Sequence, residues 1–399
     1  MNNDELQVLG TPHKPSKWEK TGKVFIAIAV VGALLSLGAL LHSVFADNTS
    51  DEHRESTIIP ELQQAVDSLL TGELKEIWGL HGQVIVMRVQ TGEIVAMVGK
   101  ERRFDKKYQV CQNLTYRQEP GTTMMTAALL ALLETGEVKM TDMVNTGHGV
   151  WPMEGLDMKD HNWRRGGYGE ITLEHALEVS SNIGISRAIQ KAFKGKEFRY
   201  YELLDKMSFG QPEQIDGIEG LLPQRFSSPK DSTWASYMLP WNSIGYERLL
   251  APIQMLTFYN AIANDGKMVK PTLYSDSIKV INPQIASKES ITQMRIALEH
   301  VVSHGLGKKA NTDLVAVAGK TGTAQVFNAE QEDDEFVIAN EYHLSFCGYF
   351  PADAPEYSMM VSLNKEGIPA SGGGMAGVLF HNIVEWMIAH DMLHNIIID

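Results

Sequence analysis

Cysteine is nearly absent from this sequence: Cys111 and Cys347 are the only two in 399 residues. Neither stands in a CxxC or zinc-ligand spacing, so a cysteine metal site is excluded and two buried free thiols are expected. Lysine and arginine number 35 against 49 aspartates and glutamates, and the formal net charge of −14 argues against nucleic acid as a partner. Internal repeats and low-complexity tracts are missing as well. There is no GxxxxGK[ST] loop to cradle a phosphate and no HExxH. The i, i+4 pairs His300/His304 and His390/His394 lack the intervening glutamate and are expected on exposed helical faces, so no metal and no cofactor are assigned. What the chain has in quantity is apolar residues, 44% against 21% charged, enough for a large folded core.

Residues 1–23 are polar and include Lys14, Lys17, Lys20 and Lys23, while residues 24–41 are apolar apart from Ser36 and weakly apolar to Ala46. A run of about 18 such residues can span a bilayer, and lysines on its N-terminal flank keep that end in the cytoplasm. Val44-Phe45-Ala46 also suits signal-peptidase cleavage, but the run is long for a cleaved signal. The expected layout is a cytoplasmic tail at 1–23, a single transmembrane anchor at 24–45, a polar stalk at 46–57, and a domain at 58–399 outside the cytoplasm.

Helical spacing of Leu62, Val66, Leu69 and Leu70 marks residues 58–77. Residues 83–89 and 93–99 read as a β-hairpin turning at Gln90-Thr91-Gly92. A helical middle follows, with its clearest helical region at 171–189 broken near Ser180-Ser181-Asn182, and with a strongly apolar helix at 249–264. Three late strands, at 314–326, 343–350 and 357–363, precede an amphipathic helix at 375–390. The acidic stretch 328–335 reads as a solvated connection. Two early strands and three late ones imply a five-stranded, mainly antiparallel sheet built from both chain ends. Helices would flank it, with an all-helical region inserted, an α/β domain of mixed layers.

The chemistry concentrates in three places. Residues 118–138 (QEPGTTMMTAALLALLETGEV) begin with turn chemistry, offer Thr122 as a helix N-cap, and continue as a helix apolar all round until Gly136. Lys320-Thr321-Gly322-Thr323 lies in a strand, where Gly322 permits close approach to the backbone and the lysine and threonines offer donors to a carboxylate. Ser180-Ser181-Asn182 sits at a helix break.

In this order the three resemble S-x-x-K, S-x-N and K-T-G, the signature motifs of the penicillin-binding protein and serine β-lactamase superfamily. Residues 171–185, 243–273 and 343–357 are similar to family segments too. The resemblance covers most of 58–399 and points to the transpeptidase domain of class B penicillin-binding proteins, which crosslink peptidoglycan in division or elongation. It implies a proton-relay pair in Ser180 and Lys320, an amide-orienting Asn182, a carboxylate-docking wall at Thr321, Gly322 and Thr323, and an oxyanion hole from the backbone N–H groups of Thr122 and Thr323. There are departures. Residues 46–58 are too short for the family's pedestal domain, and no glycosyltransferase segment is present. The nucleophilic serine falls on Thr122 and the catalytic lysine on Met125.

Thr122 retains a hydroxyl with an added methyl group that restricts χ1 and crowds attack. Met125 has nearly the length of lysine but accepts no proton. The formal S-x-x-K at Ser227-Ser228-Pro229-Lys230 follows the second motif, and Pro229 opposes a helical turn there. The expectation is a pseudoenzyme acting as scaffold or regulator with cell-wall synthesis or division proteins. The alternatives are an active or weakly active D,D-transpeptidase using Thr122 with Lys320, and a non-catalytic sensor of muropeptides or β-lactams that binds the peptidoglycan stem peptide without acylation.

Overall fold

Strands from the beginning and the end of the domain meet in one sheet. The computed structural model describes residues 54–111, 115–153, 157–275, 277–326 and 340–394. The anchor and tail expected at 1–45, most of the stalk and the acidic 328–335 stretch lie outside them. Among the described residues no helix is long and apolar enough to cross a membrane.

Helix α1 (Pro60–Glu76) opens with proline in its first turn, where no backbone donor is lost, and buries Leu62, Val66, Leu70 and Leu74 on one stripe. Strands β1 (Gly79–Arg88) and β2 (Ile94–Arg102) form the expected hairpin, followed by the short β3 (Tyr108–Val110). The middle of the chain supplies α2 (Met124–Leu133), α3 (Leu173–Glu178), α4 (Asn182–Phe193), α5 (Glu197–Lys206), α6 (Met238–Ser243), α7 (Pro252–Ala263) and α8 (Lys288–Ser303). Strands β4 (Ala318–Val326), β5 (Glu341–Phe350) and β6 (Tyr357–Glu366) precede the last helix, α9 (Gly377–Ala389).

The sheet runs β4-β5-β6-β1-β2-β3, antiparallel at every joint. Val84 opposite Val361 and Ile85 opposite Met360 join the two chain ends. The sheet has six strands where five are expected. The sixth, β3, is three residues long, too short to show a period of two in sequence. The inserted region is not all-helical either. Short ladders pair Met143–Asn145 with Glu170–Thr172 and Val150–Trp151 with Met158–Lys159, bracing Gly-rich loops whose backbone groups would otherwise lack partners. Helix α7 starts at Pro252 rather than at Leu249, because proline suits the first helical turn and Leu249 is held in a ladder with Arg225.

Both sheet faces are buried, so the strands read as continuous apolar runs instead of alternating ones. Val84, Val86, Phe346 and Val361 face the core shared with α1 and α9, while Ile85, Met87, Tyr349 and Met360 face the helical lobe. In that lobe every residue of α2 and α7 is buried. The two helices are pinned by Thr126 Oγ1 against Tyr259 Oη at 2.6 Å, and Tyr259 Oη donates to the Thr123 carbonyl at 2.9 Å.

Candidate functional site

The turn at Pro120-Gly121 brings α2 onto β4. Gly121 has φ +57°, and a Cβ there would lie 3.2 Å from both Ala324 Cβ and the Thr323 carbonyl carbon, so only glycine allows this approach. A single 3-10 turn (Gly121–Thr123) then feeds the helix. Thr122 is inside that turn and makes no capping bond, contrary to the expected N-cap. Its hydroxyl instead donates to the Thr321 carbonyl at 3.0 Å, across to β4. Three residues on, Met125 is fully buried. Gly136, with φ +71°, follows the end of the helix as expected.

The second wall is the break between α3 and α4. Ser180 has φ +52°, a left-handed conformation rare outside glycine and costing on the order of 1–3 kcal/mol. The next residue, Ser181, caps α4 by accepting from the Gly184 amide at 2.9 Å and donates to Asp160 Oδ2 at 2.8 Å. Asp160 is completely buried and also accepts from the Ile183 amide at 3.1 Å. Burial raises its pKa, and the bonds from Ile183, Ser181 and Asn182 partly oppose that rise. A carboxylate under the N-terminus of α4 also suits the helix dipole. Asn182 Nδ2 donates to the Lys159 carbonyl at 2.9 Å, while its shielded Oδ1 has no hydrogen-bond partner.

Lys320 projects from β4, opposite Cys347 on β5, and is fully buried. Both cysteines are buried, and Cys347 is a free thiol. The Lys320 Nζ donates to Ser180 Oγ at 2.8 Å and to the Thr321 carbonyl at 3.0 Å. Burial alone pulls its pKa down from 10.5 to about 7. Ser180 Oγ in turn donates to Met125 Sδ at 3.8 Å. The chain of polar contacts from Lys320 through Ser180 therefore ends on a thioether, a weak acceptor with no basic nitrogen.

The space beside Gly322 is occupied by the protein. A Cβ at that position would stand 2.3 Å from Ser345 Oγ and 3.1 Å from the Pro120 carbonyl, which requires glycine independently of any bound molecule. Thr323 is exposed and accepts from the Gly372 amide at 3.0 Å.

Two groups of residues escaped the motifs. Ser371-Gly372-Gly373-Gly374 lies along β4, and a Cβ on Gly372 would be 2.1 Å from the Gly322 carbonyl. Three consecutive glycines ahead of a helix are the signal that could have marked it. His343 is buried behind the Glu119-Pro120 turn. Its Nδ1 lies 2.9 Å from the Glu119 carbonyl, which can only accept, so Nδ1 carries the proton, and Nε2 faces Gln118 and Ser362. Burial pushes its pKa down to about 4. No local sequence pattern announces this buried network.

Thr122, Met125, Ser180, Lys320 and Thr321 thus form one linked cluster, with Asn182 on its flank and Gly322 and Thr323 continuing the strand. Ser227-Ser228-Pro229-Lys230 is elsewhere, in a turn where the Ser228 amide donates to Asp231 and where Ser227 and Lys230 line a polar groove with Glu119 and Arg225. A cavity of about 730 Å³ between α2 and α4 contains none of the motif residues, so volume does not mark this site. Of the histidine pairs, His304 and His390 are exposed as expected, and the other two depart. His300 is half-buried, not exposed, and faces Glu174 at 2.8 Å, while His394 lies beyond the end of α9 and meets Glu356 at 3.0 Å.

Comparison with known proteins places these contacts in a family. A model of the penicillin-binding protein transpeptidase domain matches residues 82–385. Stage V sporulation protein D of Bacillus subtilis is 28% identical over 327 residues, spanning 75% of this chain and 48% of that relative. Peptidoglycan D,D-transpeptidase FtsI of Escherichia coli is 24% identical over 370 residues, spanning 86% of this chain and 58% of that relative. The apo transpeptidase domain of Burkholderia pseudomallei penicillin-binding protein 3 superposes with a TM-score of 0.71 at 24% identity, covering 86% of this chain and 98% of that one. The chain belongs to the penicillin-binding protein transpeptidase family, in its class B branch. It spans about half the length of the curated relatives it matches.

Proposed function

We propose that this chain is a catalytically silent transpeptidase-like protein of peptidoglycan synthesis. In this reading residues 24–45 hold it in the cytoplasmic membrane and residues 58–399 lie outside the cytoplasm. It acts as a scaffold or regulator among cell-wall synthesis or division proteins, and binds stem peptide without acylation. One observation carries the silence: the Thr122 hydroxyl donates to a backbone carbonyl, and the side chain beside Ser180 at the position of the base is the Met125 thioether. A hydroxyl without a base is a poor nucleophile, and loss of a nucleophile–base unit costs about 10⁶ in kcat. Binding is supported by what remains. Thr323 is exposed beside Lys320 and Thr321 for a terminal carboxylate, and Asn182 stands on the flank of the cluster.

A weakly active transpeptidase is the second reading, favoured by Lys320, whose pKa burial lowers toward neutrality, which favours the neutral amine a base requires. Fluorescent penicillin distinguishes the two. Purified full-length protein is expected to remain unlabelled, while Thr122→Ser with Met125→Lys is expected to label. Label mapping to Thr122 in the unaltered protein would overturn the silent reading.

A further inference from the structure

We propose that Glu174, Glu178 and His300 form a binding site for a divalent transition-metal ion of the zinc class, which clasps α3 to α8 behind the Ser180 turn. One ligand atom from each of the three residues lies within 4.8 Å of the other two, the only such grouping among the described residues. His300 Nδ1 is 2.8 Å from Glu174 Oε1 and 3.9 Å from Glu178 Oε1. Zinc bonds of about 2.1 Å in a tetrahedron put neighbouring ligand atoms about 3.4 Å apart, between those two distances. Small rotamer shifts therefore close the site.

The charge arrangement calls for a cation. Glu174 and Glu178 are four apart on one short helix, a repulsive spacing, and Glu178 ends that helix, where the dipole disfavours a carboxylate. No lysine or arginine among the described residues pairs with either carboxylate. Their ionic partners are His300 and His175, the latter 2.7 Å from Glu178 Oε2. His175 is placed to orient the liganding carboxylate from behind, as outer-shell partners of metal ligands do. The ring of His304 lies 5.1 Å from that of His300. The donor set of two carboxylates and an imidazole suits zinc, whereas calcium and magnesium take oxygen ligands only.

The site connects to the cleft through the backbone. The Glu178 carbonyl accepts from the Leu306 amide at 2.9 Å, and the Leu306 carbonyl lies where a Cβ on Gly373 would come within 2.4 Å. A metal joining α3 to the end of α8 therefore stiffens the loop that lies between the Ser180 turn and the glycine turn along β4.

The test is equilibrium dialysis of full-length protein against zinc chloride with metal analysis, together with thermal melting. One zinc per chain is expected, with a rise in Tm that EDTA reverses and calcium chloride does not reproduce. His300→Ala and Glu178→Gln should each weaken uptake at least tenfold, His175→Ala about tenfold through the outer shell, and His390→Ala not at all. If His300→Ala fails to fold by circular dichroism, the near-isosteric Glu174→Gln carries the same expectation. Absence of zinc uptake, or uptake unchanged in Glu174→Gln, would overturn the proposal.

Discussion

The two sides of the cleft differ in kind. On the β4 side, Lys320 donates to Ser180 Oγ and to the Thr321 carbonyl, a continuous polar network. On the α2 side, Met125 is apolar and fully buried, and the Thr122 hydroxyl turns away to a backbone carbonyl. The two sides meet at the Thr321 carbonyl, which takes a hydrogen bond from each. In the silent reading proposed above, nucleophile and base are exchanged without dismantling the wall opposite, because a buried methionine at 125 leaves no buried charge unpaired.

The largest expected effect erases the contrast. Thr122→Ser with Met125→Lys should raise the rate of penicillin acylation by roughly 10⁴ or more, read as covalent label on a gel. Removing the polar side instead, Lys320→Met should stabilise the protein at pH 7 by roughly 2–4 kcal/mol in urea unfolding, less whatever Ser180 and Thr321 lose as acceptors. The pH dependence identifies the cause. The folded pKa of Lys320 lies below its ordinary 10.5, so the unfolded chain binds a proton that the folded one releases. Stability due to this group is complete above 10.5 and is lost as pH falls to about 7, at up to about 1.4 kcal/mol per pH unit. Lys320→Met should flatten that slope. His343, whose folded pKa is about 4 against 6.5, acts with the same sign in a separate window, so stability lost between 6.5 and 4 should persist in Lys320→Met and vanish in His343→Gln.

Gly322→Ala should destabilise by about 1–3 kcal/mol through the clash with Ser345 Oγ, and Ser345→Ala should recover part of it. Asp160→Asn, which weakens the charged anchor of Ser181 and the α4 amide, should cost about 1–2 kcal/mol in the same assay. The smallest effect is expected from Lys230→Ala, under about 0.5 kcal/mol and without influence on labelling of the double variant, since that turn is outside the cluster.

Much of this was legible in the sequence, because it rests on patterns that run over about seven residues or more. The all-apolar 124–133 run, the hairpin ahead of it and the three late strands are such patterns, and each appears as an element. Short features were not legible. Three residues at Tyr108–Val110 carry no period, and the ladders that interrupt the helical middle are two or three residues each. Within the site, the motifs located Thr122, Ser180 and Lys320, but the supports came from far along the chain. Asp160 and His343 are buried polar residues whose roles depend on partners brought close only by folding. Thr122 shows the same limit in reverse: local propensity made it an N-cap, and a tertiary acceptor on β4 took its hydroxyl.

The glycines around β4 have a broader consequence. Gly121, Gly322 and Gly372 bring three backbone segments into contact without intervening side chains, and Gly245 is pressed against the Gly121 carbonyl in the same way. The outline of the cleft is therefore cast by main chain, like a mould whose form does not depend on what is poured into it. Side chains facing the interior can be exchanged for others of similar volume while the shape of the recess stays fixed. Such a recess is a suitable starting point for installing a new reactive group, since the geometry that a reaction needs is already supplied by atoms that substitution does not alter.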